Sequence, residues 1–446
     1  MSGSPEQRFS RGAATLAVGI GATGIATYSY FALASHALDA EMYGRLTVLW
    51  SVVFFVVSVL YRPVEQMLSR SIAKRDARGG QGNHHFRVAA GIQVFLAGAF
   101  AVAAIVGREP LLNGLFGGST VHYWVLVIAV LTYAASYFAR GYLAGRGRFG
   151  QYGMLVLLEA ASRLLFALAV AVGIAEGASF VALGIAAAPI MSLAVVPFSL
   201  RRSLRTGVGA PGSRGPIEAV GSGTGEVLTL SGGAGFAGAV VLIMVAEQAL
   251  LNAGPLLVRV TEGPSGFALA GLAFNVLLIA RAPLQLFQAV QTSILPHLTR
   301  LVAVSDPLAF RRIVRITLRG VAGFAASVAI GVLLVGPQLL GLVFGQDHVY
   351  DARGLAVVAI GMGTYLAAAT LNQAALARSL TRQAAACWLL AASAFVVMLL
   401  LPIFDDAIFQ VEVAYAAAGL LLMLLLYSLH RRPMQGEPGW DAQPGG

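Results

Sequence analysis

The chain has 446 residues, 58% of them hydrophobic and 11% charged, with a mean hydropathy of +0.78. Soluble domains carry about 45–50% apolar and about 25% charged residues, so water is excluded as the main solvent of this chain. The formal net charge of +10 does not mark a nucleic-acid binder, because the basic residues are scattered between apolar segments rather than gathered into one patch or arm.

At the amino end Arg8 and Arg11 precede an apolar run from Gly12 to Ser35. Ala34, Ser35 and Ala37 imitate a signal-peptidase site, but a run this long spans a bilayer and many more follow, so it reads as the first span. Further runs cover Leu46 to Leu68, Val88 to Val106, Val121 to Ala139, Tyr152 to Ile174 and Phe180 to Leu200. The stretch from Arg201 to Glu226, rich in Gly, Ser, Pro and Arg, has the composition of a flexible linker. Six more runs follow: Val227 to Val258, Gly266 to Thr292, Ile316 to Phe344, Leu355 to Ala377, Ala384 to Phe404 and Ile408 to Leu429. The expected fold class is therefore all-α: a polytopic membrane protein of about twelve transmembrane helices. Residues 1–200 form an N-terminal lobe of six spans, 201–226 a cytoplasmic linker, 227–432 a C-terminal lobe of six spans, and 433–446 a disordered cytoplasmic tail.

Arginine placement orients the chain. With a cytoplasmic amino end, 23 of the 30 Lys and Arg residues fall in inner segments. Only Arg45, Arg108, Arg259 and Arg353 fall outside, and Arg62, Arg163 and Arg281 lie within apolar runs. The outer loops carry acids instead, among them Asp39, Glu41, Glu109, Glu262, Asp347, Asp351, Asp405 and Asp406, and are short. A multi-pass protein of the cell membrane with both termini cytoplasmic is expected, with no room for an extracytoplasmic catalytic domain.

Charge inside a span costs several kcal/mol unless it meets a cavity or a partner, so function is sought at these positions. In the second span Ser51, Ser58, Arg62, Glu65 and Ser69 are spaced by 7, 4, 3 and 4 and share one helical face. In the eighth, Arg281, Gln285, Gln288 and Thr292 repeat the 4, 3, 4 spacing. Each stripe has a proline nearby, Pro63 or Pro283. Two readings apply: the stripes line a hydrated cavity whose arginines bind phosphate, or the arginines snorkel to headgroups with Glu65 neutralising Arg62. Glu159 and Arg163 in the fifth span form an i,i+4 pair suited to structural neutralisation or to coupling. Glu247 lies deep in the seventh run, where Gly254-Pro255 predicts a bend, and is a candidate proton acceptor. In the first span Gly12, Gly19, Gly21 and Gly24 suit either bending or close helix packing.

Enzyme signatures are absent from the sequence: there is no phosphate loop ending in Lys-Ser/Thr, no His-Glu-x-x-His and no Gly-x-Ser-x-Gly elbow. Cys387 is alone, which argues against a disulfide or a Cys-rich metal site, and His84-His85 reads as a solvated pair in a basic loop. No metal, no cofactor and no catalytic residue are expected.

Three stretches carry a family resemblance: Asp39-Ala40-Glu41-Met42-Tyr43-Gly44 before the second span, Arg140-Gly141-Tyr142-Leu143-Ala144-Gly145-Arg146-Gly147-Arg148-Phe149 between the fourth and fifth, and Leu295-Pro296-His297-Leu298 after the eighth. In this order, within a six-plus-six layout, the chain resembles the Wzx-type polysaccharide flippases of the multidrug/oligosaccharidyl-lipid/polysaccharide (MOP) superfamily, over nearly its whole length. The resemblance implies two lobes around a cavity lined by the first, second, seventh and eighth spans, and alternating access. It also implies transfer of a lipid-diphosphate-linked glycan, such as an undecaprenyl-diphosphate-linked one, to the outer leaflet, with glycosyltransferases of the same pathway as possible partners. Ser58, Arg62, Glu65, Arg281, Gln285 and Gln288 fall on the helices where substrate contacts are then expected. A multidrug/cation antiporter of the same superfamily is the alternative, although the acid such antiporters often carry in the first span is missing here. A membrane-embedded glycosyltransferase or polymerase fits less well, because the outer loops are short and acidic.

Overall fold

The computed structural model describes residues 5–77, 84–194, 230–263, 266–304, 306–345 and 350–433. Among them are twelve α-helices and no strand. They are α1 (Pro5–Ala37), α2 (Ala40–Ala77), α3 (His84–Val106), α4 (Thr120–Gly145), α5 (Phe149–Ala171), α6 (Gly177–Ser192), α7 (Leu230–Thr261), α8 (Gly266–Ala303), α9 (Pro307–Phe344), α10 (Ala352–Ala377), α11 (Thr381–Leu400) and α12 (Ala407–His430). A short π-helical turn, Pro110–Leu115, follows α3. Nine helices, α2–α5, α7 and α9–α12, contain described stretches long and apolar enough to cross a bilayer. The apolar described parts of α6 and α8 are shorter. The chain is thus an all-helical multi-pass membrane protein, the only economical solution for a backbone that must satisfy its own hydrogen bonds in lipid.

Helices overrun the apolar runs where polar residues continue the turn, as α2 does to Ala77, and stop where capping chemistry intervenes. Asp39 accepts from the Met42 amide at 2.7 Å, and Asp406 accepts from the amides of Ile408 (2.8 Å) and Phe409 (3.2 Å). Acids that the sequence places in short loops therefore serve as N-caps. The run Ala384 to Phe404 ends its helix early, at Leu400, because Leu401, the residue before Pro402, is extended. At Pro255 the helix α7 continues without interruption.

The chain forms two compact units. The first contains α1–α6 together with the segment Val258–Gly271; the second contains the rest of α7 and α8 and all of α9–α12. In the first unit α1 packs on α5, α2 on α4, and α6 on both α4 and α5. Its core is aromatic, with Tyr30, Phe31, Tyr61, Tyr123 and Tyr133 fully buried. Gly19 brings α1 close to α5, where an added Cβ would lie 3.2 Å from the Cα of Gly153, while Gly21 faces open space. In the second unit α10 is central and packs on α9 and α12. Gly361 and Gly419 set the α10–α12 approach: a Cβ at Gly361 would lie 2.8 Å from the Cα of Ala416. Small residues let backbones approach where lipid supplies no hydrophobic drive between helices. By contrast only 17% of the apolar window of α9 is buried, against 72% for α10, which identifies α9 as a lipid-facing helix.

Candidate functional site

The intramembrane polar residues gather into one group in each unit. In the first unit, Ser58, Arg62 and Glu65 are half-buried on α2. Glu65 accepts a hydrogen bond from the Tyr152 hydroxyl of α5 at 3.0 Å, and Arg62 lies within its electrostatic reach. Gly141 allows α4 to seat against this turn, because a Cβ there would lie 2.9 Å from the Glu65 carbonyl oxygen. Gly145 repeats the approach one turn on, against Ser69 and Ile72.

Behind Glu65 stands a buried ion pair. The Glu159 carboxylate of α5, 1% exposed, accepts from Arg140 and Ser136 of α4 and, at 3.3 Å, from Ser192 of α6. Arg140, which the sequence counts among the orienting charges of a connecting loop, is in fact a buried residue near the end of α4, stacked over the Tyr137 ring at 4.5 Å. Arg163, one turn from Glu159, reaches the other way: its Nη1 donates to the Tyr133 hydroxyl at 2.8 Å, and its guanidinium lies over the rings of Trp50 and Phe54 at 5.0 and 5.6 Å. Helical spacing pairs residues along α5 alone, and Arg140 was hidden from it because the partner stands on another helix.

In the second unit, α8 places Arg281 half-buried against α7. It donates to the carbonyl oxygen of Leu251 and to Asn252 Oδ1 at 3.2 Å, and lies over the Phe274 ring at 5.2 Å. Asn252 Nδ2 in turn donates to Gln248 Oε1 at 2.9 Å. Glu247 is half-buried and accepts from the Tyr365 hydroxyl at 3.4 Å. Gln248, Asn252 and Tyr365 carried no signal in the sequence beyond being isolated polar residues in apolar runs. The helix α8 extends through Gln285, Gln288 and Thr292, whose side chains lie outside the described residues. Among the described residues no group of His, Cys, Asp and Glu has the arrangement of a metal site.

The 258–271 segment of the first unit is held by arginine. Arg45 and Arg259 both lie over the Phe267 ring, at 4.2 and 4.0 Å, while Arg45 also pairs with Glu41 at 2.8 Å and donates to the Phe116 carbonyl at 3.0 Å. Gly44 packs directly on the Phe267 backbone, with no space for a Cβ.

These features define a class, that of multi-pass α-helical membrane proteins with polar residues buried inside the spans. Comparison of the fold narrows it. Over 92% of its length the chain superposes on 94% of an inward-facing multidrug resistance MATE family transporter of the MOP superfamily, with a TM-score of 0.71 at 9% identity. It superposes on the lipid II flippase MurJ in an inward closed conformation with a TM-score of 0.65 at 13% identity, covering 94% of this chain and 88% of that one. A further MATE protein, in a bent conformation, matches with a TM-score of 0.62 at 10% identity over 96% and 95% of the two chains. The fold is therefore MATE-like. In sequence the chain is 27% identical over 393 residues, 84% of its length, to 82% of the uncharacterized protein Rv1510 of Mycobacterium tuberculosis (strain ATCC 25618 / H37Rv), and equally to the uncharacterized protein MT1558/MT1560 of strain CDC 1551 / Oshkosh. No protein-family profile matches the chain.

Proposed function

We propose that the protein is a transporter that flips a lipid-diphosphate-linked oligosaccharide or polysaccharide precursor from the inner to the outer leaflet by alternating access. The observation that carries this reading is that each unit holds a half-buried arginine within an apolar helix, Arg62 on α2 and Arg281 on α8, each set among polar neighbours. Guanidinium groups bind phosphate through paired, charge-assisted hydrogen bonds. The MATE-like fold, which the lipid II flippase shares, supports a transport role. On this reading the chain resides in the cell membrane with both termini cytoplasmic, and Ser58 and Glu65 belong to the polar face of α2 that carries Arg62.

The test is mass spectrometry of lipid-linked intermediates in cells depleted of the protein, with sidedness determined by a membrane-impermeant probe. Accumulation of one undecaprenyl-diphosphate glycan on the inner leaflet supports a flippase and identifies its cargo; normal lipid-linked glycan pools overturn it. A second reading, a multidrug/cation antiporter, is favoured by Glu247, a half-buried carboxylate within an apolar helix beside Tyr365. It predicts heightened sensitivity to cationic drugs in the same depleted cells.

A further inference from the structure

Among the described residues in the interior of the first unit's spans, Arg62, Arg140 and Arg163 stand against two carboxylates, Glu65 and Glu159. Glu159 is taken up by Arg140, Ser136 and Ser192. Glu65 accepts from Tyr152 and has Arg62 within reach one turn away on its own helix. Arg163 remains, 4% exposed, with no carboxylate at ion-pair distance among the described residues. A guanidinium does not shed its proton to escape this, and an uncompensated charge in a low-dielectric interior is strongly unfavourable. The aromatic faces of Trp50 and Phe54 spread the charge without cancelling it.

The surroundings of Arg163 are rich in donors and poor in acceptors. Its Nε is buried with no hydrogen-bond partner, and so is the hydroxyl of Tyr30, a residue of 0% exposure. Tyr30 lies within electrostatic reach of both Arg163 and Tyr133. The Tyr133 hydroxyl, having accepted from Arg163, keeps its own proton, for which the described residues offer no acceptor. Donor groups on α1, α4 and α5 thus lie near one excess positive charge, with the Trp50 ring 5.0 Å from the Arg163 guanidinium and 5.8 Å from the Tyr30 ring.

We infer that this cluster binds a small monovalent anion such as a halide, held by Arg163 and by the hydroxyls of Tyr30 and Tyr133. An anion satisfies the orphaned donors and the charge together, whereas water satisfies the donors and leaves the charge. A single excess positive charge is matched by one negative charge, which favours a monovalent anion over a divalent one. The inference is independent of cargo and holds for a flippase and an antiporter alike.

Trp50 makes the site readable, because iodide quenches indole fluorescence on contact. The full-length protein in nanodiscs of zwitterionic lipid is titrated with sodium iodide at constant ionic strength against sodium gluconate. Expected is a saturable quenching component that chloride displaces and sulfate does not, and that disappears in Trp50→Phe. Tyr30→Phe removes a hydroxyl that has no protein partner, so its fold should match the parent in thermal unfolding without halide while its apparent iodide affinity falls about tenfold. Arg163→Gln should abolish the component; if that variant does not fold, Tyr30→Phe decides. Purely linear quenching, unaltered by Trp50→Phe and Tyr30→Phe, overturns the site, and so does displacement by sulfate as effective as by chloride.

Discussion

The Arg281 guanidinium donates to the carbonyl oxygen of Leu251, the acceptor that Pro255 leaves without an intrahelical donor four residues further on. A proline inside a helix removes one i→i−4 hydrogen bond, and in lipid no water replaces it. Arg281 completes the backbone of α7 from α8, so this arginine is a structural residue as well as a candidate for substrate contact. Arg281→Gln should therefore destabilise the protein by about 1–3 kcal/mol, the cost of an unsatisfied buried acceptor. In a Pro255→Ala background the amide returns and the same substitution should cost about 1 kcal/mol less. A double-mutant cycle of unfolding in detergent measures the difference, and strict additivity would show that Arg281 does not serve the proline gap.

The Arg140–Glu159 pair yields a second cycle. Either Arg140→Gln or Glu159→Gln alone leaves a buried charge without its partner and should cost about 3–5 kcal/mol, seen as lost yield of monodisperse protein and a lowered unfolding midpoint. Arg140→Gln combined with Glu159→Gln should cost less than the two single losses added, because both charges go together. Full additivity would mean that the two groups do not interact.

Much of the architecture was legible in the sequence. The apolar runs alone indicate an all-helical chain of about twelve spans, because a bilayer imposes length and composition on every crossing helix. The site was legible one helix at a time. Spacing put Arg62 and Glu65 on one face of α2, but could not say that Tyr152 of α5 meets that face. Likewise Glu159 and Arg163 are neighbours along α5, yet Glu159 binds Arg140 and Arg163 turns to Tyr133. Periodicity reports which residues share a face; which helix covers that face is decided by tertiary packing, here by glycines such as Gly141 and Gly145. Polar residues with no charge, such as Gln248 and Asn252, give no signal in the sequence because an amide in an apolar run is indistinguishable from one exposed to headgroups.

Those glycines supply a third test. At Gly145 a Cβ would come within 2.8 Å of the Ile72 Cβ and 2.9 Å of the Ser69 carbonyl oxygen, so Gly145→Ala forces α4 away from α2 and should cost about 1–3 kcal/mol. Gly21→Ala, facing open space on α1, should be neutral or slightly stabilising through helix propensity. Thermal unfolding of the two variants side by side checks the contrast, and equal behaviour would show that the α2–α4 contact is not tight.

The two transport readings part at Arg62. If this side chain holds a diphosphate, Arg62→Gln removes a charge-assisted contact worth about 1.5–3 kcal/mol and should lower flipping of a diphosphate lipid in reconstituted vesicles by about 10- to 100-fold. Arg62→Lys keeps the charge but loses the planar fork, so its rate should fall between the two. Because Arg62 is only half-buried, unlike Arg140, the unfolding midpoint should move little, and that separates loss of a contact from loss of fold. An antiporter for cationic compounds responds in the opposite direction, since removing a positive charge from the path eases the entry of a cation. Flipping unchanged in Arg62→Gln, together with faster efflux of a cationic dye, would therefore transfer the assignment to the antiporter and leave Arg62 as a counter-charge to Glu65.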